Sequence, residues 1–496
     1  MERKIVKLLP AIIVAVLLLV LEAAFMLQMK HSGLFPARYM VILGIALFLL
    51  TGLCGFLLYR LSKWQCLIPG ILLALIFVIS LLLAMSHIRK GVNTLLGIVR
   101  PEAATTAVDI LVRYDDPAQD ILDVEGYVFG VLSTLDRENS DKALEELEEQ
   151  LGQELQVRFY EDLDSLVGAL RETKEVGAIL LNDGFWQILR EAEIEQNVPD
   201  KFRLEQTTRV LYVVHVEEEL PTEPTPPATT EPPKDQLPIF TVYISGSDSR
   251  YGLTYRSNSD VNIIAVFNPN TKQMLLVSTP RDYYIPLSIS GGVKDKLTHA
   301  GVYGVEVSMD TLSMLYDTEI DYYFKVHFDG FKSIVDALGG VTVESDVAFT
   351  TSSGFQIVKG KNILNGTQAL EFAWERKAFT FGDRQRGENQ MKIISGVAEK
   401  LLSSAILANY SELLASMEKN FHSNIPYDLI ASLVREQLDY GGKWEIISYS
   451  VDGTDDERPT YTHPSSNYVM IPDEETVEHA KALINTMKSG QLLPVE

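Results

Sequence analysis

Cysteine is scarce in this chain: Cys54 and Cys66 are the only two among 496 residues. Both lie in an apolar N-terminal stretch, so everything after it folds without disulfides. That suits an extracytoplasmic domain needing no covalent staples. Positive charge is short as well. Lys and Arg number 43 against 67 Asp and Glu, a formal net charge of -24. This balance argues against a nucleic-acid partner, because a phosphate backbone asks for a basic face. No helix-turn-helix pattern occurs either, which disfavours a transcription regulator.

Long apolar runs are what the N-terminus has in plenty. Leu8–Leu27, Tyr39–Tyr59 and Leu67–Met85 each supply about twenty residues, the length a helix needs to cross a hydrocarbon core. Three such runs with short polar connections fit residues 1–90 as a multi-pass anchor and do not fit a cleaved signal peptide. Glu22 is the one acid inside a span, a functional hypothesis by default unless it sits near a helix end. Arg3, Lys4, Lys7, Arg60 and Lys63 flank one side; Lys30, Arg38, Arg89 and Lys90 flank the other. This weak positive-inside bias places the N-terminus in the cytoplasm and everything after about residue 90 outside.

Residues 100–218 alternate strand and helix. Val108–Val112, Val157–Tyr160, Val176–Leu181 and Val210–Val216 read as strands, and Asp141–Leu155 and Leu163–Arg171 as amphipathic helices. The result is a small α/β accessory domain, similar to one lobe of an extracellular solute-binding fold, with no catalytic constellation. Scaffolding or docking suits it better than ligand capture, since half a clamshell traps poorly. Residues 219–238 are a proline-rich, threonine-containing spacer. From 239 to 490 strands and helices mix again. Val305–Tyr316, Phe328–Leu338, Leu364–Arg376, Gln390–Leu402, Asn409–Lys419 and Tyr427–Leu438 have helical periodicity, and Val341–Glu344 and Trp444–Ser450 are strand candidates. The fold class is therefore α/β: three transmembrane helices, an accessory α/β domain, and a C-terminal α/β/α domain with a mixed sheet.

Ile239–Ile244, Val261–Phe267 and Met274–Val277 are β-branched runs bounded by turn residues, each a buried strand. Asn268 to Lys272 is short enough for a hairpin and too short for a parallel crossover. If the first two runs are antiparallel neighbours as well, Asp248, Asp260 and Arg281 share one sheet edge. Two carboxylates and a guanidinium there suit a divalent cation plus a phosphate. Three ordinary turn residues are the plain alternative.

The ordered segments FTVYISGSDSR, SDVNIIAVFNP, LLVSTPRDYYIP, DKLTHAGVYG, DYYFKVHFDGFKSIVDALGGVTV, LNGTQALEFAWERK and GDRQRGENQ resemble the LytR–CpsA–Psr family over about 239–490. The three spans and accessory domain are similar to its capsule-associated branch. The resemblance implies a membrane-anchored phosphotransferase of a Gram-positive-type bacterium. It would move an anionic glycopolymer, capsular or teichoic-acid-like, from a polyprenyl-pyrophosphate carrier to a peptidoglycan hydroxyl, beside capsule-assembly partners. By the same resemblance Asp248 and Asp260 are the Mg²⁺-side acids, one of which could instead serve as base. Arg281, Arg376 and Arg386 grip phosphate oxygens, with Lys296 and Gln390 completing the shell.

Two positions depart from the family pattern. Asn258 stands where an arginine is usual two residues before the second Asp; Arg256 substitutes if the loop bulges. Trp374 stands where the first arginine of an R-x-R pair is usual. Each missing guanidinium removes a charge-assisted contact of about 1.5–3 kcal/mol. A non-catalytic binder of polyprenyl-phosphate glycans is therefore the competing reading. The lipid portion also requires an apolar slot, for which Tyr322, Tyr323, Phe324, Phe328, Phe331 and Ile334 supply groups.

Overall fold

The computed structural model describes residues 2–60, 64–99, 103–218, 237–247, 249–376, 378–379, 382–401 and 420–494. The chain forms two compact units. Among the described residues, one holds those up to Val99 and Ile425–Lys443, and the other holds the rest. The accessory and C-terminal sheets belong to the same unit.

In the first unit, helices α1 (Glu2–Ser32), α2 (Ala37–Arg60) and α3 (Trp64–Ile98) contain stretches long and apolar enough to cross a membrane: Ala11–Ser32, Ala37–Leu58 and Ile68–Ile98. The helices outrun the apolar runs in the sequence. Leu18, Phe25, Cys54, Phe77 and Leu81 pack between them, whereas Leu17, Ile42 and Leu49 point outward, as side chains facing lipid do. Glu22 is buried among these helices and accepts a hydrogen bond from the Thr51 hydroxyl, so it is satisfied within the bundle rather than at a helix end. Helix Tyr427–Tyr440 lies against the α1–α2 turn. The Tyr427 hydroxyl donates to Ser32 O at 2.7 Å, and Arg38 Nε meets Asp439 Oδ1 at 2.5 Å.

The second unit begins with β1 (Thr105–Arg113), β2 (Val128–Leu132), α4 (Arg137–Leu151), β3 (Gln156–Tyr160), α5 (Leu163–Arg171), β4 (Ala178–Asn182), α6 (Asp183–Glu195) and β5 (Thr208–Glu217). The sheet order is β3-β2-β4-β1-β5, with β2 parallel to β3 and β4 and β1 antiparallel to β4 and β5. Strand β2 and helix α6 were not legible in the sequence. α6 begins directly after β4: Asn182 caps it by accepting from Gly184 N at 2.9 Å. Phe185, Ile188, Leu189 and Ala192 then recur at helical spacing and are buried.

The C-terminal part is built on a six-stranded sheet. From one edge its order is Phe421–Ser423, Tyr322–His327, β6 (Phe240–Ser247), β7 (Ser259–Asn268), β8 (Gln273–Ser278) and Glu445–Ser450. β6–β7 and β7–β8 are antiparallel, while Tyr322–His327 runs parallel to β6 and Glu445–Ser450 parallel to β8. The β7–β8 hairpin forms because the Asn268 side chain accepts from Asn270 N and Thr271 N, and Lys272 takes a left-handed φ of 56°. Ile264 and Val266 face a core shared with Leu312, Tyr316, Ile484 and Met487 from helices Val305–Tyr316 and Glu474–Lys488. Ile263 and Ala265 are equally buried and, by strand alternation, face the other side. Each of the Val, Leu and Ile side chains here contributes about 1.5–3 kcal/mol.

The stretch Tyr322–Phe324, expected to supply apolar groups with plain core as the commoner role, is part of a strand; Tyr323 joins the main core and Phe331 packs against a second core with Val335 and Phe372. Two readings need correction. The helix expected from Gln390 starts at Gly382, and Gln390 is buried within it. Strands Gly453–Pro459 and Ser466–Pro472 and helix Glu474–Lys488 went unread. The spacer at 219–236 and the helix expected at Asn409–Lys419 lie outside the described residues.

Candidate functional site

The strand-edge argument places Asp260 and Arg281 together, and they meet. β6 and β7 pair in steady register until Gly246 opposes Val261 and Ser247 opposes Ser259, which leaves Asp260 as the extra residue of a bulge. A bulge turns its side chain out of the regular alternation. Arg281 follows β8 after Thr279, whose N–H continues the ladder to Asn262 O at 2.9 Å, and after Pro280, which cannot donate. Arg281 Nη1 then pairs with Asp260 Oδ1. Asp248, the third residue of that argument, lies outside the described residues.

Around Arg281 the charges interlock. Its Nε lies 3.7 Å from Asp282 Oδ1, and its Nη2 pairs with Glu191 of α6. Lys296 is held at the end of strand Lys294–Lys296, which pairs antiparallel with Tyr284–Pro286. Its Nζ lies 3.0 Å from Glu195 Oε1 and 3.5 Å from Asp282 Oδ1. Arg386 Nη2 approaches Asp282 Oδ2 at 4.0 Å. Burial opposes the charge on Asp282, yet Lys296, Arg281 and Arg386 hold its carboxyl below the usual range. Burial likewise opposes the Arg281 charge, but Asp260, Glu191 and Asp282 outweigh it and raise its pKa. Arg281 therefore stays a cation throughout any accessible pH.

A pocket of about 140 Å³ opens beside this network, lined among others by Asp260, Arg281, Asp282, Arg386 and Gln390. Arg386 and Gln390 are one turn apart on helix Gly382–Leu401 and so present to the same side. Arg384 lines the pocket too, with Nε 2.7 Å from Asp452 Oδ1. Guanidinium forks around a small polar pocket suit phosphate oxygens.

Other expected members stand elsewhere. Arg376 is exposed and absent from the pocket lining. Arg256 pairs with Glu218 at the end of β5 and is not a pocket residue. The bulge that was to bring it in falls at Asp260 instead. Asn258 is 3% exposed, and neither its amide nitrogen nor its oxygen has a hydrogen-bond partner. Trp374 is 40% exposed and meets Phe328 edge-to-face with ring centroids 4.4 Å apart. His299 is buried with Nδ1 2.6 Å from Asp295 Oδ1, a structural pairing.

Among the described residues, no group of three or more His, Cys, Asp or Glu is placed to hold a metal. Asp260 and Asp282, both paired with cations, do not by themselves make a Mg²⁺ site, which wants several oxygen ligands. Substrate oxygens and Asp248 would have to complete it.

Sequence reasoning missed Asp282, Arg384, Glu191 and Glu195. Asp282 was within the PRD triplet but eclipsed by its neighbour. The two glutamates lie in an acidic helix, where a solvated face is the ordinary reading. Nothing in their local pattern signals a contact with residues 90 and 101 positions away.

Three membrane-length helices followed by an α/β part with a cation-lined pocket at a mixed-sheet edge define the class of this chain. Residues 214–484 match the LytR_cpsA_psr family, and the chain belongs to that family. It is 36% identical over 199 residues to the polyisoprenyl-teichoic acid–peptidoglycan teichoic acid transferase TagU of Bacillus cereus (strain AH820), covering 40% of this chain and 65% of that protein. With the TagU of Bacillus subtilis (strain 168) it shares 32% identity over 217 residues, 43% of this chain and 69% of the relative. The crystal structure of B. subtilis TagV aligns at a TM-score of 0.44 with 23% identity, over 52% of this chain and all of that one. TagT bound to LI-WTA aligns at 0.41 with 24% identity, over 51% and 91%.

Proposed function

We propose that this protein is a membrane-anchored phosphotransferase that attaches an anionic glycopolymer to peptidoglycan. The observation that carries this reading is the convergence of Arg281, Asp260, Asp282, Lys296, Arg386 and Gln390 about one edge of the sheet in a chain of this family. The donor is a polyprenyl-pyrophosphate-linked glycan. The acceptor hydroxyl oxygen forms a bond to the glycan-side phosphorus as the bridging P–O bond breaks. Polyprenyl phosphate leaves, and the hydroxyl proton passes to a carboxylate or to solvent.

Charge builds on the non-bridging and leaving oxygens in such a step, so fixed cations lower its barrier. Arg281 supplies a buried guanidinium whose position is set by the Pro280 turn and by Asp260. Lys296, 3% exposed at its side chain, supplies a second fixed charge. Arg386 and Gln390 reach the same pocket from a helix, with Gln390 able to donate a neutral hydrogen bond. Mg²⁺ shared between Asp248, Asp260 and substrate oxygens would supply further charge neutralisation. The polymer is capsular or teichoic-acid-like; relatives named as teichoic acid transferases support the general class.

The second unit is placed outside the cell in this reading. The weak bias of Lys and Arg flanking the apolar runs supports it.

The deciding experiment is the initial rate of transfer from a synthetic polyprenyl-pyrophosphate glycan to peptidoglycan by the full-length protein. Activity that disappears on Arg281→Ala, with folding intact, supports the reading. A folded parent that binds the donor yet transfers nothing assigns the chain to the non-catalytic glycan binders instead.

A further inference from the structure

Two cations of the site, Arg281 and Lys296, are matched by carboxylates from helix α6 of the accessory domain. Glu191 closes Arg281, and Glu195 closes Lys296. Glu191 and Glu195 are four residues apart on α6, so they stand one above the other on a single helical face. Among the described residues of the network, Arg281, Lys296 and Arg386 face Asp260, Asp282, Glu191 and Glu195. These carboxylates offset the cations they face, so a pyrophosphate must compete with them for the same charges.

Helix α6 is firmly seated in this position. Phe185, Ile188 and Leu189 share a core with Val302 from the C-terminal part, and Tyr303 meets Phe185 edge-to-face with centroids 6.0 Å apart. Gly184 makes the close seat possible, since a Cβ there would lie 2.6 Å from Val302 Cγ1. At the first turn Asp183 pairs with Arg250, which also reaches Asp109 at 2.9 Å and lies over the Trp186 ring at 4.2 Å. These contacts hold the helix by groups other than its two glutamates. Glu191 and Glu195 are thus free to be displaced without undocking the helix. Their side chains are each about a third exposed, at 33% and 31%, so water reaches both pairs. The cations beneath are largely buried, at 12% and 3%, so a displacing anion must itself neutralise them, which a multiply charged pyrophosphate can do.

We propose that α6 is a built-in competitor for the substrate's phosphates: Glu191 and Glu195 occupy Arg281 and Lys296 until a pyrophosphate displaces them. The accessory sheet thereby sets how strongly the site resists anions, and a single phosphate, able to replace one carboxylate, meets the other still in place. This inference rests on the phosphotransferase reading of the same site.

Calorimetric titration of the full-length protein in detergent with inorganic pyrophosphate tests it. Glu191→Gln with Glu195→Gln keeps side-chain size and removes both charges; the matching pair of Ala variants removes the groups altogether. Both pairs are expected to bind pyrophosphate about tenfold to a hundredfold more tightly than the parent. The gain should vanish when Arg281→Ala is added. Unchanged or weaker binding in the folded Gln and Ala pairs, while Arg281→Ala alone weakens binding, overturns the inference and makes the glutamates supports for the cations. If Arg281→Ala leaves pyrophosphate binding unaltered in every background, the phosphotransferase reading of the site fails first, and this inference with it.

Discussion

Lys296 Nζ and Glu195 Oε1 lie 3.0 Å apart although 101 residues of chain separate them. The lysine is almost wholly buried and the glutamate only partly so. Removing the acid leaves a buried ammonium with Asp282 at 3.5 Å as its remaining carboxylate. Removing the lysine instead frees Asp282 of its strongest neighbour. The two changes are therefore unequal, and Lys296 is the more sensitive end of the pair.

Lys296→Met is expected to weaken donor binding and to raise the pKa of Asp282, since Lys296 is the foremost cation holding that carboxyl down. The folded pKa of Asp282 is depressed, so its stabilising contribution exists above the unfolded value and is lost as pH falls through the folded one. In the variant that contribution should be smaller and its loss complete at a higher pH. Thermal melts between pH 3 and 7 would show a shallower acid limb; an unchanged limb would sink the assignment.

Arg281→Ala should lower transfer by at least about a hundredfold, because charge-assisted contacts of about 1.5–3 kcal/mol each are lost at the reacting phosphate. Arg281→Lys keeps the charge without the fork and should recover part of that loss. Steady-state rates with both variants are the check. A lysine variant no better than alanine points to geometry rather than charge.

Much of this site could be read from the sequence, and the limits have physical causes. β6, β7 and β8 were legible because β-branched runs and an Asn-Pro-Asn-Thr-Lys turn are local signals. Their antiparallel order then brought Asp260 and Arg281 together by topology alone. The pairing of Arg281 with Glu191 had no local signal, because docking one sheet on another is a long-range event. Tyr322–His327 escaped notice as a strand since an aromatic-rich central strand and an apolar lining look alike in one dimension. Asn258 was the most instructive case: a missing arginine suggested weakened phosphate binding, whereas the position is buried.

That burial reverses the expected value of restoring the family residue. Asn258→Arg would force a guanidinium into a site where even the amide lacks partners, close in sequence to Arg256. An unpaired buried charge costs several kcal/mol. The variant should melt many degrees below the parent and gain no activity. Trp374→Arg, at an exposed position, should cost only about 0.5–1.5 kcal/mol through the lost Phe328 contact. A stable, more active Asn258→Arg protein would show that this position reaches the substrate after all.

The contact between the accessory sheet and the C-terminal part carries its own pH dependence, seen at Asp109. This side chain is fully buried on β1, accepts from the Tyr251 hydroxyl at 2.9 Å, and faces Arg250 and Asp183. Burial, with Asp183 adding to it, pushes its pKa up to about 6 despite Arg250 and Tyr251. The sign is opposite to that of an ordinary paired carboxylate. Below the unfolded pKa both states hold the proton and nothing is lost. As pH rises from about 4 to about 6 the unfolded chain ionises first, so stability falls, by roughly 2–3 kcal/mol at 1.36 kcal/mol per pKa unit, and stays level above. His463 acts in the same direction. Burial lowers its pKa, but Asp164, 3.0 Å from its Nε2, outweighs this and raises it, so its contribution is present below about 6.5 and is lost as pH climbs through the raised value. The accessory sheet should therefore grip more tightly at pH 5 than at pH 7.5. Asp109→Asn should flatten the slope between pH 4 and 6, and His463→Gln the slope above 6.5. Protease sensitivity of the 219–236 segment and thermal melts at several pH values would measure both. Identical slopes in parent and variants would remove these two groups as the cause.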